Sequence, residues 1–129
     1  MQNGFEAREI DHIGLEPLPT GLLAQAQAEV KTLKVEPALF RYIVQIARRT
    51  RDWPSLSLGA SPRAAISIMV VARAMAASDA RDYIIPDDVK AAAIPVLRHR
   101  VVLKPEAELE GLTSDLIISD VLKAVEVPK

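Results

Sequence analysis

The chain has 129 residues, of which 16 are lysine or arginine and 17 are aspartate or glutamate, so its formal net charge is −1. This balance excludes a strong overall attraction to nucleic acid or to an anionic membrane surface, and the absence of cysteine excludes disulfides and thiolate sites, which suits a cytoplasmic protein. Half of the residues are hydrophobic but only 4% are aromatic, which favours closely packed helices in one domain.

The beginning of the chain predicts a linker or an arm over residues 1–19. Glycine and proline interrupt this stretch, and no hydrophobic period is sustained in it. A helical domain is predicted over 20–129. Its first helix, over 22–33, carries apolar residues on one side and polar residues on the other. No apolar run approaches the length of a membrane span, so we expect no membrane segment.

A second helix is predicted over 37–51, because Pro37 suits a first helical position and apolar residues recur at helical spacing behind it. Thr50 lies on the same stripe as the apolar residues. The last turn is basic, which complements the negative end of the helix dipole and leaves open whether the arginines there also bind a partner. The loop over 52–57 contains Trp53, which we expect to anchor it against a helix.

The most hydrophobic helix is predicted over 62–79, and its first turn is the candidate functional site. Ser61 can place its hydroxyl on the free N–H groups of this turn, and Pro62 fits the first helical position. Arg63 adds a full positive charge beside the positive end of the helix dipole. These residues predict a place that meets a phosphate. Since the rest of the helix is almost without a polar face, we expect neighbours to surround it.

A further helix is predicted over 86–97, with Pro86 at its start. Asp87 and Asp88 lie in its first turn, where negative charge is favourable, and we interpret them as partners of the dipole. A metal site is the alternative for two neighbouring carboxylates. No other aspartate, glutamate or histidine lies at ligand spacing in that segment, so we expect no metal there.

The remaining segments predict a small amount of β-structure and one last helix. Residues 83–85 and 101–103 are short and β-prone, and we expect them to pair across the helix between them. Residues 104–111 are a charged connector, and 114–125 are predicted to form the final helix. The fold class is therefore mainly α, a small helical bundle with a short two-stranded β pair.

Common catalytic motifs are absent from the sequence. A phosphate-binding loop needs closely spaced glycines and a lysine before a serine or threonine, and no lysine follows any of the 5 glycines. His12 and His99 are too few for a histidine metal cluster, and no arrangement of serine, histidine and acid can be argued. We expect no catalytic residues and no activity from this chain alone.

Four segments, in this order and at this spacing, resemble the C-terminal helical lid of MoxR-type AAA+ ATPases. They are TR at 50–51, LGASPRAA at 58–65, RDYIIPDDV at 81–89 and VLRHR at 96–100. The resemblance extends from about residue 15 to the end of the chain. Ile85 departs from the family pattern, because a hydroxyl residue that caps the next helix often stands at this position.

The resemblance implies a lid that packs beside an α/β core absent from this chain, so that 1–19 is an arm from that core and 20–129 the lid. It also implies that Arg63 is the sensor-2 arginine, which reaches the γ-phosphate of ATP bound between core and lid. Ser61 and Pro62 would then support the helix start. We read His99 as tying its helix end to a carbonyl or carboxylate, in preference to contacting nucleotide.

For the intact parent protein, the resemblance implies an ATPase that uses ATP and Mg²⁺, neither of which is expected to bind tightly to this chain alone. Family members are chaperone-like remodelling ATPases, and their subunits form rings that are commonly hexameric. The resemblance therefore implies a homo-oligomeric ring as the parent's assembly. It also makes a protein with a von Willebrand A domain a candidate partner.

A second class of function stays open, namely a freestanding helical module that binds another protein or nucleic acid. Five arginines motivate this alternative: Arg48, Arg49, Arg51, Arg98 and Arg100. Their positions in the sequence do not show whether they form one patch. The near-neutral net charge makes nucleic acid the less favoured partner.

Overall fold

The computed structural model describes residues 16–128, which form six helices and one two-stranded antiparallel sheet. The helices are α1 (Leu22–Thr32), α2 (Pro37–Arg51), α3 (Pro62–Ser78), α4 (Pro86–Leu97), α5 (Pro105–Leu109) and α6 (Ser114–Ala124). The strands are β1 (Leu56–Leu58) and β2 (Val102–Leu103). The predicted mainly α bundle with a short β pair is confirmed, while residues 1–15 of the predicted arm lie outside the described range.

Helices α3 and α4 pack closely against each other and form the centre of the bundle. Helix α2 lies against α3, and α6 packs on both α2 and α4. Fully buried aliphatic side chains from all four helices meet in one core: Ile46, Ile68, Val89, Leu97, Ile118 and Val121. Burial of each such side chain stabilises the fold by roughly 1.5–3 kcal/mol. None of the helices within residues 16–128 is both long and apolar enough to cross a lipid bilayer.

Helix α3 is less enclosed than its sequence predicts. Its four buried residues, Ala64, Ile68, Ala72 and Ala76, recur at four-residue spacing and therefore form a single stripe. Ile66 and Val70 on other faces are 59% and 52% exposed. The prediction that neighbours surround the helix is wrong, because a domain of this size has a high surface-to-volume ratio and too few helices to cover both sides.

The short sheet uses a partner that the sequence analysis did not identify. Leu56 lies opposite Leu103 and Leu58 opposite Val102, so that β2 pairs with β1. Tyr83 instead forms a single parallel bridge with Lys34. The prediction that residues 83–85 pair with 101–103 is wrong, because the 12-residue helix α4 between them holds its two ends roughly 18 Å apart.

Two smaller elements also differ from expectation. Helix α1 forms as predicted, but none of its residues is buried, so its apolar side has no extensive cover within the described residues. Helix α5 lies in the segment predicted to be a charged connector. Pro105 begins this helix and Ala107 is buried against the core, which is enough contact to order one helical turn.

The turn between α3 and α4 depends on a buried carboxylate. The two Nη atoms of Arg81 donate to Asp88 at 2.7 and 2.6 Å, and one also donates to Asp79 at 3.0 Å. Asp88 Oδ2 accepts from the backbone N–H of Ile85 at 2.8 Å. Asp88 therefore caps the start of α4, where Ile85 has no hydroxyl to do so. This role goes beyond the predicted interaction of Asp88 with the helix dipole.

The hydrogen bonds from Arg81 hold the pKa of Asp88 below its ordinary value of 3.8. Asp88 therefore contributes stability that is fully present above this ordinary value and is lost as the pH falls below it. We expect Asp88→Asn to lower the free energy of unfolding by roughly 1.5–3 kcal/mol at about pH 7, and this difference to shrink toward about pH 3. Urea denaturation across this pH range measures it.

Asp87→Asn is the matched control for Asp88→Asn, because the Asp87 carboxylate is 79% exposed and its ion pair with Lys90 lies at the surface. We expect it to change stability by less than about 0.5 kcal/mol at every pH. Equal effects of the two substitutions would contradict the assignment of the turn to Asp88.

Helix α3 ends in a left-handed residue that is not glycine. Ala80 has φ 56°, and the N–H of Arg81 donates to the carbonyl of Ala76 at 2.9 Å, as in a Schellman motif. Because Cβ is unfavourable in this conformation, we expect Ala80→Gly to raise the free energy of unfolding by about 0.5–1 kcal/mol. The exposed Ala74→Gly, inside the same helix, should lower it by about 1 kcal/mol. Urea denaturation of both variants shows whether the free energy of unfolding rises in the first and falls in the second.

Candidate functional site

The candidate site is the corner at which the chain leaves β1 and enters α3. The helix begins at Pro62, as predicted, and the next residue, Arg63, is exposed. Within residues 16–128, no salt bridge engages its guanidinium. Arg63 thus carries its charge at the positive end of the helix dipole, at the start of one of the two central helices.

Ser61 does not make the hydrogen bond that the sequence predicts for its side chain. No side-chain cap is formed at this helix start, and Ser61 contributes its backbone carbonyl, which accepts from the N–H of Ala64 at 2.9 Å. The predicted hydroxyl cap is therefore wrong. The loop that precedes the helix is fixed by other residues, and the N–H of Arg63 is not covered by the Ser61 side chain.

The loop before Arg63 is held by the last two residues of α2. The buried Thr50 hydroxyl accepts from the N–H of Ala60 at 2.8 Å and donates to the carbonyl of Ala47 at 2.7 Å. Arg51 Nε donates to the carbonyl of Ala60 at 2.8 Å. Both backbone polar groups of Ala60 are therefore bound to side chains from α2. We call these contacts of Thr50 and Arg51 with Ala60 the Ala60 clamp.

Gly59 is required in this corner because its backbone lies very close to the backbone of Arg51. A Cβ atom at Gly59 would lie 2.6 Å from both the Cα and the backbone N of Arg51. Backbone atoms cannot rotate away as a flexible side chain can, so any larger residue has to move the loop from α2. The glycine thus allows the close approach on which the Ala60 clamp depends.

The β pair brings a third part of the chain to the same corner. Val102 lies opposite Leu58, and the single hydroxyl proton of Ser57 is shared between the carbonyls of Val102 and Leu103, each 3.1 Å from Oγ. Since the strands are antiparallel, the residues that precede β2 lie at the end of the sheet where the chain turns toward Ala60. The residues immediately before β2 therefore approach the corner where 50–51 and 58–60 are in contact.

The turn before β2 contains His99, which is exposed. Arg100 Nε donates to His99 Nε2 at 3.3 Å, and Arg98 donates to Asp115 at 2.7 Å. The expected tie from His99 to a carbonyl or carboxylate is not formed among the described residues. In this turn the N–H of Arg100 donates to the carbonyl of Leu97 at 2.8 Å, and the exposed ion pair with Asp115 joins Arg98 to α6.

The five arginines that motivated an interaction surface have different environments. Arg98 is paired with Asp115, and Arg51 is bound to Ala60. The Arg49 guanidinium lies 5.6 Å from the ring centroid of Trp53, a cation–π distance that confirms the predicted anchoring of this loop against a helix. Arg48 and Arg49 also line a cavity of about 510 Å³ that acidic Asp52 and Glu126 share.

Comparison with known families identifies the domain. The AAA lid domain family matches residues 48–121, which include the Ala60 clamp, the start of α3 and the pair formed by Arg81 and Asp88. The chain belongs to the AAA lid domain family.

Individual relatives narrow the assignment of this AAA lid domain. It is 42% identical to YeaC of Bacillus subtilis over 79% of this chain, and 35% identical to Chaperone MoxR1 of Mycobacterium tuberculosis over 96% of it. A crystal structure of a putative ATPase from Cytophaga hutchinsonii superposes with a TM-score of 0.75 at 35% identity over 79% of this chain. The resemblance to lids of MoxR-type AAA+ ATPases is confirmed.

The lid corresponds to part of each relative. The matches cover 32% of YeaC, 37% of MoxR1 and 34% of the crystallised ATPase chain, so the chain spans about a third of their length. Among residues 16–128, no group of three or more histidine, aspartate or glutamate side chains could hold a metal ion.

Sequence reasoning did not identify the function of Thr50 in this site. The signal for it is a hydroxyl residue on the otherwise apolar stripe of α2, where it is completely buried. A buried hydroxyl needs hydrogen-bond partners, and a helix supplies only the carbonyl at Ala47. The remaining acceptor capacity of Thr50 indicates a contact outside the helix, but no local pattern identifies Ala60 as that partner.

Gly59→Ala tests the close approach at this corner. The added methyl group forces the loop away from α2, and we expect the free energy of unfolding to fall by roughly 1–3 kcal/mol, as in other overpacked sites. Ser61→Ala in the same loop is the control. Because the Ser61 hydroxyl caps nothing, this variant should lose less than about 0.5 kcal/mol, against the roughly 1 kcal/mol expected of a working cap. Chemical denaturation distinguishes these outcomes.

Proposed function

We propose that this AAA lid domain closes over ATP bound to a catalytic core of the same parent protein, and that Arg63 senses the γ-phosphate. The observation that carries the proposal is an exposed arginine without an ion-pair partner among the described residues, at the N-terminus of a central helix. Its position in the first turn of α3, directly after a loop held by the Ala60 clamp, supports a contact of defined geometry.

The chemistry of this corner suits a phosphate oxygen. A guanidinium presents several N–H donors in a planar fork that matches phosphate, and the helix dipole adds positive potential at the same place. Ser61 and Pro62 contribute to the loop and the helix start that support Arg63. The residues fit one cationic contact to ATP, whereas Mg²⁺ finds no ligand cluster in residues 16–128 and belongs to the proposed core.

Movement of the lid follows from this contact. Arg63 lies at the start of α3, and α3 packs along α4 in the centre of the bundle. Attraction between Arg63 and the γ-phosphate therefore acts on the whole lid. Hydrolysis and phosphate release remove that attraction, which allows the lid to open again.

The proposal for the parent protein extends the family assignment. Residues 1–19 form an arm from the catalytic core, and residues 20–129 form the lid. The parent hydrolyses ATP with Mg²⁺ in a cytoplasmic homo-oligomeric ring, with a hexamer as the expected size. The name of the relative Chaperone MoxR1 supports a chaperone-like activity. Remodelling of client complexes and a partner with a von Willebrand A domain complete the proposal.

A freestanding interaction module has less support. Three of the five arginines that suggested it are engaged within the domain: Arg98 in an ion pair, Arg51 in a backbone hydrogen bond and Arg49 in an aromatic contact. Nucleic-acid recognition by backbone charge is strongest where several cations follow a phosphate chain along one surface. The varied settings of these arginines favour local structural functions over such a surface.

Arg63→Ala in the full-length protein tests the proposed function. Because an arginine on the γ-phosphate stabilises charge that changes during hydrolysis, we expect ATP turnover to fall by at least about tenfold. The thermal unfolding temperature should stay unchanged, since the side chain is exposed and forms no ion pair among the described residues. Turnover is measured by phosphate release at saturating ATP.

The matched control is Arg41→Ala, which removes another exposed arginine from the lid surface. It should leave ATP turnover within about twofold of wild type. Wild-type turnover in the Arg63→Ala protein would contradict the proposed function. An equal loss in both variants would show that a general charge effect, and not phosphate sensing, is responsible.

A further inference from the structure

The Ala60 clamp ties the end of α2 to the loop that leads into α3 by hydrogen bonds, in addition to the packing of α2 against α3. Thr50 and Arg51 are the last residues of α2, whereas Ala60 lies three residues before Arg63. The clamp binds the N–H of Ala60 through Thr50 Oγ1 at 2.8 Å and its carbonyl through Arg51 Nε at 2.8 Å. Because both the N–H and the carbonyl of Ala60 are hydrogen-bonded, the backbone of the loop has little freedom to rotate at this residue.

The Thr50 hydroxyl is fixed in orientation as well as position. It donates its single proton to the carbonyl of Ala47 and accepts from Ala60, so neither contact can be exchanged for the other. Thr50 and Ala60 are 0% and 1% exposed, and water therefore does not compete for these bonds. Removal of the hydroxyl leaves the buried N–H of Ala60 without its partner.

We propose that Thr50 is a positioning residue that fixes Arg63 relative to α2, so that the γ-phosphate acts on the helical bundle and not on a loose loop. This inference rests on the proposed function of Arg63. Its physical basis is the sensitivity of charge stabilisation to geometry, because a displacement of about 1 Å in a positioned group can lower a rate by about a hundredfold. Thr50 itself does not touch the phosphate.

The test uses the full-length protein with the substitution Thr50→Val, which retains the β-branched shape and removes the hydroxyl. We expect kcat for ATP hydrolysis to fall by about tenfold, with a change of less than about threefold in KM, because remote ATP contacts remain in the core. Thr50→Ser keeps the hydroxyl and should restore kcat to within about twofold of wild type. A wild-type kcat in Thr50→Val would overturn the proposal.

A double-variant comparison separates positioning from general damage. If Thr50 acts through Arg63, Thr50→Val should lower kcat by less than about twofold in a protein that already carries Arg63→Ala. The same tenfold loss in both backgrounds would overturn the inference while leaving Arg63 as a sensor. Wild-type turnover in Arg63→Ala alone would overturn the proposed function, and this inference with it.

Two further variants cover the case in which Thr50→Val unfolds the lid. Arg51→Ala removes the other half of the Ala60 clamp from an exposed position, and we expect a loss of kcat of about threefold or more that again disappears in the Arg63→Ala background. Ile46→Val removes one buried methylene from the same stripe of α2 without touching the loop. It should leave kcat within about twofold, and a loss equal to that of Arg51→Ala would overturn the proposal.

Discussion

The peptide groups of Ala60 are buried where two elements of the fold meet, and they must form hydrogen bonds without water. No regular secondary structure supplies those bonds, because β1 has ended and α3 has not begun. Thr50 and Arg51 supply them from the end of α2, and Gly59 permits the approach by having no Cβ. The need to satisfy the buried peptide groups of Ala60 thus fixes how α2, the sheet and the start of α3 lie relative to one another.

A second contact fixes the other end of α3. Arg81 and Asp88 close the turn to α4, and Asp88 also caps α4 through the Ile85 N–H. Helix α3 is therefore held by side-chain hydrogen bonds at the loop before it and the turn after it, while its alanine stripe packs against the bundle between them. This arrangement supports the transmission of a force from Arg63 to the helices as a unit.

The sequence predicts helix starts more accurately than contacts between distant segments. Pro37, Pro62 and Pro86 each begin a helix as expected, because the fixed φ of proline and its missing N–H act within a single residue. Which strand pairs with β2, and how much of the α3 surface is buried, depend on tertiary packing. A local sequence pattern contains no information on such packing. Ser61 likewise has the correct residue type for a cap, but its loop is already bound through Ala60.

Arg63, at the start of α3, and Arg81, just after its end, differ in their capacity to bind an anion. Arg81 is bound to two carboxylates, so any other anion has to displace these partners first. Arg63 has no salt bridge within residues 16–128, while its loop is held in place by the Ala60 clamp. A ligand that meets Arg63 therefore gains a charge contact without breaking an ion pair or ordering the loop, and in the proposed function more of the attraction remains to move the lid.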